Sequence, residues 1–202
     1  MSSTNRGYQR HKVDFYVTPQ NCIKEFLSYW LNDLNGEFHD DILDIGGRPD
    51  RARWLDPCAG GDAKHQMSYP TVIKREFDPE IATIDYREDS LAERKEDYLL
   101  ADITPDYYDV IITNPPFYIA REVIEKALKD VKTDGYVVML LRLNFFGSNE
   151  RLAFWEKQLP TWAYVHHRRF SFTDDGKTDS IEYMHAVWQK GADPAFTMLK
   201  VI

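Results

Sequence analysis

Four consecutive residues, Asn114-Pro115-Pro116-Phe117, follow directly on the apolar run Tyr108-Asp109-Val110-Ile111-Ile112-Thr113. Two prolines after a buried strand permit neither a helix nor a further ladder, so they impose a rigid turn. Such a turn holds out the side-chain oxygen of Asn114 and the backbone carbonyl of Pro115 as fixed acceptors, with the ring of Phe117 beside them. A planar amine needs that set: its NH2 group has two protons to place, and its ring has a face to cover. The bland alternative is a plain proline-rich turn.

Ligands of an open α/β sheet bind beyond the carboxyl ends of the strands, and two further strand ends carry unusual residues. Asp56-Pro57-Cys58-Ala59-Gly60-Gly61-Asp62 closes the run Ala52-Arg53-Trp54-Leu55. Its glycines allow a tight turn and close approach of a ligand to the backbone. The GxGxxG spacing is absent and no Lys-Ser/Thr pair follows, so a dinucleotide or triphosphate cradle has no support. Asp85 closes the run Ile81-Ala82-Thr83-Ile84. An acidic residue there can accept hydrogen bonds from ribose hydroxyls, although many strands end in Asp.

These ends need a sheet to hold them, and the pattern supplies one. Pro19, Ile23, Phe26, Leu27, Trp30, Leu31 and Leu34 recur at helical spacing, with Thr18 as a candidate N-cap and Pro19 at the first helical position. A polar connection from Asn35 to Arg51 is interrupted by the apolar piece Ile42-Leu43-Asp44-Ile45. Strands are expected at residues 52–55, 81–85 and 108–113, with a short one near 97–100. A helix over about 120–131 presents Val123, Ala127, Leu128 and Val131 on one face and ends at Asp134-Gly135. Tyr136 to Leu141 is an almost continuous apolar run, which suits a parallel strand buried on both faces. A helix over about 149–158 turns Leu152 and Trp155 inward, and strands near 162–165 and 182–188 flank the loop Thr173–Ser180. The closing strands have no helix between them and so run antiparallel at one edge. The expectation is one doubly wound, mostly parallel α/β domain over residues 1–202, with residues 1–12 mobile.

Composition narrows the partners. Against 33 Asp+Glu stand 25 Lys+Arg, a formal net charge of −8, which excludes a broadly basic nucleic-acid coat but not a local basic patch. His166-His167-Arg168-Arg169 is the densest cationic run and is a candidate for holding backbone phosphates; a solvated strand end is the alternative. Lys64 and His65, just past the glycine turn, are candidates for approaching a substrate or a carboxylate. His65, His166 and His167 lack carboxylate or thiol partners at ligand spacing, so no metal is expected. The two cysteines, Cys22 and Cys58, support neither a disulfide framework nor a four-thiolate zinc site, and Cys58 reads as a small buried side chain. With no leader-like segment and no window of eighteen apolar residues, a cytoplasmic location is expected and no membrane partner.

Taken together, the motifs resemble those of the S-adenosylmethionine-dependent adenine (N6) DNA methyltransferases of the small phage type. Asp14-Phe15-Tyr16-Val17-Thr18-Pro19 resembles that family's N-terminal cofactor motif, Leu55 to Asp62 its glycine motif, and Thr83-Ile84-Asp85 its acidic motif. Glu96-Asp97-Tyr98-Leu99 resembles the segment that meets the cofactor adenine, and Asn114-Pro115-Pro116-Phe117 the catalytic signature. The resemblance implies a class I, Rossmann-like methyltransferase fold. It also implies that Asp56, Pro57, Cys58 and the backbone at Gly60 hold the methionine moiety, with Thr18 and Pro19 closing over it and Tyr16 covering the cofactor. Asp85 would take the ribose hydroxyls, and Asp97 the adenine amine, with Tyr98 or Leu99 beside it. The substrate would be adenine in DNA, duplex or single-stranded, flipped from its stack where necessary. Fewer than about sixty residues separate the glycine turn from Asn114, too few for a separate target-recognition domain. Sequence preference would then come from loops, a partner chain or a second copy. RNA adenine, a protein glutamine amide, a non-catalytic binding subunit and a domain for some other nucleoside are the competing readings.

Overall fold

The computed structural model describes residues 16–35, 48–172 and 177–202. Asp14-Phe15, the expected mobile start, the apolar piece 42–45 and residues 173–176 of the loop lie outside them. Eight strands form one sheet in the order β3-β2-β1-β4-β5-β7-β6-β8, where β1 is Arg53–Asp56, β2 Glu80–Asp85, β3 Arg94–Lys95, β4 Val110–Thr113, β5 Tyr136–Arg142, β6 Trp162–Val165, β7 Tyr183–Gln189 and β8 Met198–Val201. Neighbours from β3 through β5 are parallel. β7 lies between β5 and β6 and runs antiparallel to both, and β8, laid parallel outside β6, is the edge strand.

The apolar run of β5 shows why the sheet carries helices on both sides. Val137, Met139 and Leu141 join one cluster with Ile111, Ile124 and Trp155, whereas Tyr136 and Val138 join another with Phe26, Trp30 and Ile73. Successive side chains point to opposite faces, so both faces are apolar. One is covered by α1 (Gln20–Asn35) and α2 (Ser68–Phe77), the other by α3 (Ala120–Asp130) and the short α4 (Leu152–Trp155). Among the described residues, no helix is long and apolar enough to cross a membrane.

Several elements depart from the sequence expectation. Thr18 does not cap α1: the carbonyl of Pro19 receives the first helical bonds, from the Cys22 and Ile23 amides, and Gln20 is the first helical residue. The third strand is Arg94–Lys95, because only those residues pair with Ile84 and Asp85; Asp97–Leu100 is a turn in which the Asp97 carboxylate accepts the Leu99 amide. α2 has no counterpart in the expected elements. Its Pro70 falls in the first turn, where the missing N–H leaves no intrahelical bond unmade. β8 is likewise additional. The expected helix over 149–158 is a 3-10 turn at Asn149–Arg151 followed by one α-turn. Its phase is set by Phe154 and Trp155, which pack with Phe145 and Phe146, so Leu152 faces out at 58% exposure.

Candidate active site

β1 pairs with β2 on one side and β4 on the other, so the chain leaves β1 in one direction and returns in the opposite one. A crevice opens at such a reversal beyond the carboxyl ends of the strands, and a cavity of about 330 Å³ occupies it. Pro57, Cys58 and Ala59 line it after β1, Asp85, Tyr86 and Arg87 after β2, and Asn114 and Pro116 after β4. Tyr16 and Thr18 approach from ahead of α1, Tyr69 from α2, and Asp97, Tyr98 and Leu99 from the turn after β3. Tyr86 and Tyr118, 72% and 77% exposed, also line this cavity.

The glycine turn is built for proximity. Gly60 and Gly61 take φ of 66° and 74°, the left-handed region in which a Cβ is disfavoured. A Cβ on Gly61 would stand 2.9 Å from Met67 Cγ and 3.1 Å from Leu91. The turn is tied to β2: the Gly60 amide donates to Asp85 Oδ2 at 2.7 Å, and the Ala59 amide to the Ile84 carbonyl. Asp85, 7% exposed, accepts a second backbone bond at Oδ1 from the Arg87 amide at 2.8 Å. Its carboxylate therefore joins two loops while standing in the cavity wall.

Asp56 lies beneath that wall and does not line the cavity; it is 1% exposed, and its Oδ1 accepts the Cys58 amide at 3.2 Å. Burial pushes its carboxyl up to about 7, against the opposing pull of Thr113 and the Cys58 amide. Cys58 does line the cavity, and burial, with Asp56 and Asp85 nearby, holds its thiol well above the ordinary range.

The turn after β4 is preorganised. Asn114 Nδ2 donates to Thr18 Oγ1 at 3.1 Å, which leaves Oδ1 as the free acceptor. The buried Pro115 accepts no backbone hydrogen bond among the described residues. Phe117 stands just outside the cavity lining, with Tyr16 stacked at 6.4 Å, Tyr183 at 6.0 Å and the Arg142 guanidinium over its face at 4.5 Å. Tyr98 donates to Asp130 of α3 at 2.8 Å, which fixes that wall. Pro19 does not line the cavity; it begins α1 beside Thr18.

The proposed cationic contacts are placed elsewhere. The amides of Lys64 and His65 and the His65 Nδ1 all turn to Asp62 Oδ1, and neither residue lines the cavity. Arg168 Nε lies against His167 and Arg169 pairs with Glu182 at 3.2 Å, both exposed. His166 is not part of a cationic run at all. It is buried, with Nε2 2.7 Å from His185 Nδ1, and burial lowers its pKa to about 4. His185 Nε2 in turn sits 2.8 Å from the Tyr69 hydroxyl, so a buried chain of three rings runs from the cavity wall along the sheet face that α1 and α2 cover. Sequence reading missed Tyr69, although Tyr69, Val72, Ile73 and Phe77 recur at helical spacing and were the signal that could have announced α2. It also missed Arg142, whose signal was present as a cation closing an apolar strand. Among the described residues, no group of three or more His, Cys, Asp or Glu could hold a metal ion.

No family profile matches the chain, and no curated protein matches it in sequence. Solved structures do match in fold. A chain from Listeria monocytogenes, assigned as a class I S-adenosylmethionine-dependent methyltransferase, matches at 15% identity and TM-score 0.63 over 92% of this chain and 65% of its own. One from Pyrococcus horikoshii, assigned as an RNA methyltransferase, matches at 17% and 0.61 over 93% and 94%. A modification subunit assigned to a type I restriction enzyme of Vibrio vulnificus matches at 13% and 0.54 over 91% and 51%. The chain thus spans about two thirds of the Listeria protein and half of the Vibrio subunit. It has the class I methyltransferase fold.

Proposed function

We propose that this protein transfers a methyl group from S-adenosylmethionine to the exocyclic N6 amine of adenine in DNA. The observation that carries the reading is the Asn114-Pro115-Pro116-Phe117 turn, its Asn114 oriented by Thr18, at the edge of a cavity sited where the sheet reverses. The cavity suits a nucleoside-bearing cofactor on its own chemistry. Asp85 and Asp97 stand in its wall, Leu99, Ile119 and Val123 offer apolar surface, and Pro57, Cys58 and Ala59 bring the turn after β1 to it, while Gly60 and Gly61 lie behind them, outside the lining. Asp85 and Asp97 would hold the ribose and base ends, and the residues after β1 the amino-acid end.

When bound, the cofactor supplies an activated methyl group. Asn114 Oδ1 and the Pro115 carbonyl each accept one N–H of the adenine amine, which draws its lone pair out of conjugation and aims it into the cavity. One of those protons is released after transfer, since the product keeps a single N–H. Phe117 and Tyr16 offer the faces on which the base is stacked. A duplex substrate would be opened at a cost of a few kcal/mol, recovered through that stacking and those bonds. The acceleration comes from position and from acceptors fixed before the substrate arrives. Target preference would be supplied by loops, by a second copy or by a partner chain; the match to a modification subunit, a part of a larger enzyme, supports the last.

Radiolabelled methyl transfer to unmethylated duplex DNA, single-stranded DNA and RNA, with nucleoside analysis of the product, tests the reading. Label recovered as N6-methyladenine in DNA is the expected result. Label confined to RNA would move the substrate class, and label on protein amide alone would replace it. Calorimetry showing no S-adenosylmethionine binding while other nucleosides bind would remove the methyltransferase reading.

A further inference from the structure

Arg142 is the last residue of β5 and lies opposite Tyr183 of β7. Its guanidinium rests on the Phe117 ring at 4.5 Å, so it shares the mouth of the site with the Asn-Pro-Pro-Phe turn. Three features separate it from a surface cation. No ion pair between described residues includes it, whereas Arg87 of the cavity wall faces Asp85 and Asp89, and Arg169 faces Glu182. Its Nε is buried and has no hydrogen-bond partner. The Tyr183 hydroxyl accepts from the guanidinium and donates its own proton to Asp179 at 2.8 Å, a neutral partner in place of an ion pair. The half-buried guanidinium thus has one neutral partner, and its buried Nε is left without an acceptor, a cost that an acceptor arriving with a ligand would remove.

The position says which ligand. Arg142 does not line the cofactor-sized cavity, and neither does Phe117; the two rest against each other beside the Asn114-Pro115-Pro116 turn, outside the space a cofactor would fill. The acceptor is thus one that the substrate brings. A guanidinium is a planar fork matched to phosphate oxygens. In a protein of net charge −8, a polyanion must be met by individual cations, not by an overall field. We propose that Arg142 is a substrate-binding residue that takes a phosphodiester oxygen next to the target adenine while its guanidinium backs the Phe117 ring. The inference rests on the nucleic-acid reading above and deepens it: the substrate is an adenine carried on a phosphodiester chain, not a neutral peptide amide.

The test uses single-stranded oligonucleotides with one adenine, in which a neutral methylphosphonate replaces each flanking phosphate in turn. For the wild type, kcat/KM falls about tenfold or more at one position. R142Q shows a comparable loss on the all-phosphate strand and no further loss at that position, and its salt dependence is shallower by about one charge. R142K, which keeps the charge without the fork, falls between the two and retains part of the sensitivity. Losses from R142Q and the methylphosphonate that multiply would overturn the inference, because Arg142 would then only prop the Phe117 ring. Should R142Q fail to fold, a wild-type scan with no sensitive phosphate overturns it equally. A wild type that binds cofactor yet methylates no oligonucleotide sinks the substrate reading itself, a result distinct from either.

Discussion

Asp56→Asn isolates the energetics of the carboxyl under the site. Asp56 is 1% exposed and its folded pKa is about 7, raised by burial above an unfolded value near 3.9. Because the folded state binds that proton more tightly, the associated stability is fully present below about pH 4 and is lost as pH rises towards and through about 7. Three units correspond to about 4 kcal/mol in full, of which about 2–3 kcal/mol falls between pH 5 and pH 8. Asparagine keeps the oxygen that accepts the Cys58 amide and removes the charge. The variant's stability advantage should therefore widen by about 2–3 kcal/mol from pH 5 to pH 8. Urea unfolding without cofactor, followed through the five tryptophans, measures it, and unchanged m-values show that the comparison is like for like. Other titrating groups, including His166 and His185, are common to both proteins and cancel. A gap constant to within about 0.5 kcal/mol would refute the argument, since Asp56 would then be ionised at little cost.

Asn114→Ala should lower methyl transfer by about a hundredfold or more while calorimetric cofactor affinity stays within about 1 kcal/mol; equal losses of both would count against its role with the substrate. Asp85→Ala should weaken cofactor binding by about 1–3 kcal/mol and also lower the unfolding free energy, because it strands the amides of Gly60 and Arg87. Tight binding in a stable variant would contradict both roles. Gly61→Ala should destabilise by about 2–4 kcal/mol in chemical denaturation, from the left-handed φ and the 2.9 Å approach to Met67. A cost below about 0.5 kcal/mol would mean that the turn relaxes freely.

What could be read along the chain was the chemistry written in adjacent residues. Two prolines stop a strand wherever they occur, paired glycines permit a turn, and a run such as Tyr136–Leu141 is apolar throughout because both faces of its strand are covered. These signals sufficed for the α/β class, for most strands and for the three strand ends where a site could form. Partnership across distance was not legible. Nothing near Thr18 says that its hydroxyl meets Asn114, 96 positions on, or that Asp85 is committed to Gly60, 25 positions back. Nor does the run His166-His167-Arg168-Arg169 show that its first member is sealed against His185 and held neutral, since charge state depends on burial. The phase of α4 followed the same logic: spacing offered Leu152, but the aromatic cluster of Phe145, Phe146, Phe154 and Trp155 set the angle and turned Leu152 out. Local sterics act through neighbouring residues and survive in the sequence, whereas burial, hydrogen-bond partnership and ionisation are properties of the packed chain and were decided only there.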